Sequence, residues 1–211
     1  MTICHSWRLL KTPTRRLPPW TASPGPWMRF TVLGIALLIG VVPPQSAQGA
    51  NQEDFEGPQM SWRPTGSDAR YQILDHRRVK DGGHSRPGCE RISLATGNGT
   101  KILFSHPVPP ASVIDELVAS VWVKSDRPGV RILARVVLPR TNDPQSGRPI
   151  TTLIAGSNSQ PGTSWQQLRV ENIPFLLARR VRGLRKQYGP EIDPRETYVD
   201  QVLLDLFCGP G

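Results

Sequence analysis

An all-β fold, an antiparallel sandwich interrupted by one crossover helix near 174–188, is what residues 50–211 predict. Three observations carry that reading. Runs of alternating apolar and polar residues recur along the segment, Gly/Pro/Asn clusters separate them, and a single stretch switches from a period of two to one of 3.6 and back.

Taken in order, residues 54–56 and 71–76 are short strand candidates. Residues 91–95 and 101–105 flank Thr96-Gly97-Asn98-Gly99-Thr100, and Asn-Gly favours the positive φ angles of a tight turn, so these two runs are expected to pair as a hairpin. Residues 116–124 put Leu117, Ala119, Val121 and Val123 on one face and Val118, Ser120, Trp122 and Lys124 on the other. Only a strand alternates so. Arg127-Pro128-Gly129 turns the chain into 130–138, where Arg131 and Arg135 share one face while Ile132, Ala134 and Val136 point towards a core. A loop at 139–149 leads to strands at 150–155 and 165–170. In the helical stretch Leu177, Val181, Leu184 and Tyr188 form the apolar stripe, with Arg179, Arg180, Arg182, Arg185 and Lys186 opposite. Residues 198–207 are apolar on both faces from Val202 to Leu204, as a central strand is.

The amino-terminal part follows other rules. Residues 28–49 have the layout of a secretory signal peptide: Met28-Arg29, an apolar run at 30–42 that is short of the ~20 residues a membrane span needs, then Ser46-Ala47-Gln48-Gly49-Ala50. Cleavage after Gly49 would place Ala47 and Gly49 at the two positions that must be small. The domain from 50 onwards is therefore expected to be secreted or to reside in the periplasm or cell envelope. Residues 1–27, rich in Pro and Arg and without periodicity, read as a disordered upstream extension of the reading frame. The alternative is a membrane anchor through 30–42.

Charge excludes less than it first suggests. The formal net charge is +9, but Arg8, Lys11, Arg15, Arg16 and Arg29 fall within residues 1–49, where there is no acidic residue. Residues 50–211 hold the remaining 21 basic side chains against 17 acidic ones, or +4. A mildly basic exported domain needs no nucleic acid to explain it. After cleavage only Cys89 and Cys208 remain, a pair that can bridge in an oxidising compartment or sit as small apolar core residues. His76, His84 and His106 are scattered without zinc-ligand spacing. No nucleophile elbow and no phosphate loop occurs, and the acidic residues gather near turns, so catalysis by this chain is not expected.

Several segments in order carry a resemblance: Asp54-Phe55-Glu56-Gly57 followed by Trp62, then Ser120-Val121-Trp122-Val123-Lys124-Ser125, then Gly162-Thr163-Ser164-Trp165-Gln166-Gln167-Leu168, then Tyr198-Val199-Asp200. Together they resemble galactose-binding-like jelly rolls, the sandwiches of many carbohydrate-binding modules, as in the amino-terminal sandwich of large secreted proteins of planctomycete type. The resemblance implies a secreted non-catalytic binding module, with a polysaccharide or a cell-envelope component as partner, and a place within a larger glycan-processing protein. It also implies a structural calcium near the first strand, for which Glu56 and Asp200 are the matching positions, with Gln201 where a second carboxylate often stands. In such jelly rolls a last strand closes the sheet, so either 198–207 is that strand or a further one is missing. The alternative function is a structural or protein-interaction sandwich of the envelope.

Candidate ligand-binding residues follow from chemistry. Aromatic faces cover the C–H faces of sugar rings. Of Trp62, Trp122 and Trp165, the latter two lie inside apolar strands and are expected to fill the core, whereas Trp62, beside Arg63-Pro64, is the expected surface aromatic. Arg131 and Arg135 could hold carboxylate or sulfate groups through forked hydrogen bonds, although charges alternating on a strand usually mark its solvent side.

Overall fold

The computed structural model describes residues 7–11, 52–53 and 57–209, except 86 and 161. The expected signal segment 28–49, the candidate strand 54–56 and Glu56 lie outside them. The elements in chain order are β1 (Trp7–Lys11), β2 (Gln52–Glu53), β3 (Arg63–Ser67), β4 (Tyr71–Val79), β5 (Cys89–Thr96), β6 (Ile102–Ser112), β7 (Leu117–Val123), β8 (Arg131–Asn142), β9 (Pro149–Asn158), β10 (Gln166–Val170), α1 (Ile173–Tyr188) and β11 (Tyr198–Asp205). Among the described residues no helix is long and apolar enough to cross a membrane.

All strand pairings are antiparallel. One sheet runs β3-β6-β11-β8-β9, a second β10-β7-β1-β2, and β4-β5 stand as a pair. The all-β class and the one helix among the described residues are thus as the alternation predicts. One core unites the inward side chains of both larger sheets: Phe104, Ile132, Ala134, Val136, Val202 and Leu204 from the first, Leu117, Ala119, Val121, Val123, Leu168 and Val170 from the second. Ile92 of β5 joins them. Each fully buried Leu, Ile or Val contributes about 1.5–3 kcal/mol by leaving water. The central place of β11, between β6 and β8, explains why its Val202 to Leu204 stretch is apolar on both faces.

The helix buries Ile173, Leu177, Val181 and Leu184. Asn172 precedes it in the left-handed region (φ 53°), with Pro174 in the first turn, where a missing N–H removes no intrahelical bond. Gly189 ends it, at φ 102°, its N–H donating to the Arg185 carbonyl. Arg185 and Lys186 in the last turn suit the negative end of the helix dipole.

The predicted hairpin of 91–95 with 101–105 does not form. Instead β5 pairs with β4, and β6 pairs with β3 and β11. The Gly97–Thr100 segment is a crossover clasped to the β3–β4 turn: the Gly97 N–H donates to the Arg70 carbonyl, and the Arg70 N–H to that of Asn98. The Asp68 carboxylate accepts from the Thr100 and Lys101 N–H groups and from the Thr100 hydroxyl at 2.6–2.9 Å. A Cβ on Gly99, whose φ is 155°, would lie 2.2 Å from the Ala69 Cα, so this glycine serves close backbone approach and not a hairpin turn. The loop predicted at 139–149 is also shorter, because β8 and β9 continue to a turn at 143–148.

Within the segment read as an extension without periodicity, Trp7–Lys11 forms β1, which lies between β7 and β2 with Trp7 opposite Val121 and Lys11 opposite Leu117. Strand addition along an edge uses main-chain groups, so it needs no side-chain period.

Candidate functional site

The sites follow from which face each strand turns outward. On β7 the odd positions 117–123 are buried in the core, which turns Trp122 to the outer face together with Val118 and Ser120. On β10, Leu168 and Val170 point inward, which turns Gln167 and Arg169 outward, and Trp165 stands immediately before the strand. The register sets Gln167 opposite Trp122 and Arg169 opposite Ser120. Both tryptophans are half-buried. The imidazole of His84, an exposed residue of the β4–β5 loop, stacks on Trp122 with ring centroids 3.6 Å apart and planes 12° from parallel. The same imidazole meets Trp165 edge-on at 6.0 Å. Gln167 Nε2 donates to the Ser120 hydroxyl at 3.4 Å, and Arg169 pairs with Glu171 at 2.8 Å. The result is an aromatic shelf with amide and hydroxyl groups beside it.

A second constellation is buried. Glu90 alternates inward with Ile92 on β5 and is fully enclosed. Its carboxylate accepts from the Ser61 N–H at 2.9 Å, the Trp62 N–H at 3.1 Å and His76 Nε2 at 2.6 Å, and Arg78 Nη1 lies 3.6 Å away. Arg78 in turn donates to the Gln59 carbonyl and the Ser61 hydroxyl. These bonds draw residues 59–62 into the fold and carry Trp62 inside with them, its ring 5.6 Å from that of His106. An open recess of about 550 Å³ lies alongside, lined by Gln59, Ser61, Arg63, Arg78 and His106 among others. The enclosed carboxylate thereby ties β4, β5 and residues 59–62 together.

The expected site residues fall as follows. Trp62 is 0 % exposed, so the surface aromatic predicted there is corrected: Pro and Gly nearby suggest a loop, but the Glu90 bonds hold that loop inward. The assignment of Trp122 and Trp165 to the core is corrected too, since both are only half-buried and β7 turns Trp122 outward. Arg131 and Arg135 share the outer face of β8 as the alternation requires. Arg131 is exposed and donates to Asn158 at 2.7 Å. Arg135 is bound to Asp200 by two parallel hydrogen bonds of 2.8 and 2.6 Å, which raise its pKa above the ordinary guanidinium value. That fork occupies both oxygens of Asp200, the carboxylate matched to a calcium ligand, and leaves Arg135 committed within the sheet. Among the described residues no group of three or more His, Cys, Asp or Glu side chains is placed to hold a metal ion.

Cys89 is disulfide-bonded and Cys208 is a free thiol, so the two are not joined to each other. Burial, reinforced by the Asp205 charge, pushes the Cys208 thiol up to about 11. Two residues escaped the sequence reading. The signal for Glu90 was present, because alternation with Ile92 and Leu94 puts it on the inward face. His84 carried none, because only the path of a Gly-rich loop lays it on Trp122. No protein-family model matches the chain, and no curated protein matches it.

Proposed function

We propose that this chain is an exported, non-catalytic binding module of galactose-binding-like sandwich type, one part of a larger glycan-processing protein, and that it takes a sugar ring on the shelf of Trp122 and Trp165. The carrying observation is the His84 imidazole lying parallel to the Trp122 ring at 3.6 Å. A flat ring is accommodated there, in the manner a pyranose C–H face adopts on an indole. His84 is exposed and its Nδ1 lies 2.7 Å from the neighbouring Ser85 hydroxyl, so the ring stacked on Trp122 belongs to a loop side chain and not to the core. Gln167 beside the shelf offers an amide to sugar hydroxyls. A structural or protein-interaction sandwich of the envelope is the second reading, favoured by the complete burial of Trp62.

Pull-down on insoluble polysaccharides and a glycan array test the first reading. Trp165→Ala should weaken binding about tenfold, the sum of ring burial and stacking. His84→Ala should tighten it by removing the competing ring. A folded protein that binds no glycan, or binding indifferent to Trp122→Ala and Trp165→Ala, would leave the structural reading in place.

A further inference from the structure

Helix α1 carries five cations, Arg179, Arg180, Arg182, Arg185 and Lys186, and no acidic residue. Arg182 stands at i+3 from Arg179, i−3 from Arg185 and i−4 from Lys186, spacings at which like charges repel on one helix face. A solvated helix back ordinarily mixes both signs. Among the described residues none of the five makes an ion pair. Arg180 donates to the Thr152 hydroxyl and Arg185 to the Ile192 carbonyl. The flanking acids are engaged elsewhere: Glu171 with Arg169, Asp193 with Arg195 and Arg140, Glu196 with Arg140. Glu191 alone of them pairs with nothing among the described residues.

Two further features sit with this charge. Phe175 is 64 % exposed, with the Arg179 guanidinium 5.9 Å from its ring centroid. Between α1 and β9 runs an open groove of about 400 Å³, its floor formed by Leu153, Ile154, Ala155 and Leu176 and its rim by Arg179 and Arg180. Cationic rim, apolar floor and adjacent aromatic match a chain of rings bearing negative groups.

We infer that the outer face of α1 and the groove beside it bind an acidic polysaccharide, with Arg179 and Arg182 on the helix face and Arg180 at the groove taking its sulfate or carboxylate groups, and Phe175 and Leu153 against its ring faces. Guanidinium forks suit both anions. A membrane surface fits less well, because the apolar stripe of the helix is buried in the core and leaves Phe175 alone to insert. This site does not depend on the Trp122 shelf.

The test uses the full chain with dextran sulfate, neutral dextran and phosphatidylglycerol vesicles as probes. Arg179→Glu/Arg182→Glu should weaken dextran sulfate binding about tenfold, two attractions being replaced by two repulsions. The charge-matched Arg70→Glu/Arg148→Glu should weaken it by no more than about twofold, and Phe175→Ala by about threefold. Binding by the unaltered chain should fall steeply with salt and should survive Trp165→Ala. Equal losses in the two double variants would reduce the effect to net charge and overturn the assignment. So would a loss confined to the vesicles, which would make the face a membrane contact.

Discussion

At the scale of the residue, Glu90 joins β5 to His76 and Arg78 of β4 and to the backbone at Ser61 and Trp62. Glu90→Gln keeps the shape but removes the charge that faces His76, Arg78 and two backbone N–H groups. Chemical denaturation should show a loss of about 2–4 kcal/mol. Asp68 gives a pH-dependent counterpart. The hydroxyl of Thr100, then the Thr100 and Lys101 amides, lower its pKa from the ordinary 3.8 to about 2. Its folded value lies below its unfolded one, so the clasp is complete above about 4 and is lost as pH falls through about 2. An NMR titration should find the Asp68 carboxyl and the Thr100 and Lys101 amides shifting together in that window, and a midpoint near 4 would contradict the clasp. The raised pKa of Cys208 predicts that its thiol resists iodoacetamide at pH 8 while the protein is folded, reacting at an ordinary rate once unfolded.

At the scale of the element, period and partner are separate questions. The strands at 116–124, 130–138 and 198–207 and the helix near 174–188 were legible because burial imposes a period on each, and side chains record it. Pairing is recorded only where a short turn forces it. Asn98-Gly99 resembled such a turn, yet Gly99 is present because Ala69 packs where its Cβ would be, and the glycine alone cannot distinguish the two demands. The same ambiguity hid the role of Gly156. A Cβ there would approach the Arg169 carbonyl oxygen to 2.2 Å, so this glycine lets β9 of one sheet close on β10 of the other. Gly156→Ala should push the two strands apart and lower stability by about 1–3 kcal/mol in thermal or denaturant unfolding, whereas Gly183→Ala, with open space around it on α1, should raise it by a few tenths to 1 kcal/mol.

At the scale of the whole molecule, the candidate sites were less legible than the fold. Aromatic residues are read from a sequence by their neighbours, and the neighbours misled. Trp62 stands among loop-forming residues but is tethered inward, whereas Trp122 stands among apolar residues that face the other way. The alternation along 116–124 had already set Trp122 opposite the core residues, so period was the better guide to exposure than local polarity. The remaining feature with reach across the molecule is β1. Its five residues pair along β7 from Trp7–Val121 to Lys11–Leu117, and they precede Gly49. If cleavage occurs there, export strips a strand from a sheet and not merely a tail from a domain. The leader would then act as an escort that covers the β7 margin until processing, after which that margin is open to a successor: Gln52–Glu53 sliding across, or a strand lent by another polypeptide. Since amides along β7 point alternately to its two neighbours, hydrogen exchange on a chain beginning at Ala50 should quicken at every second residue from 117 to 121 relative to the full chain, and uniform protection would mean that a successor had already taken the place.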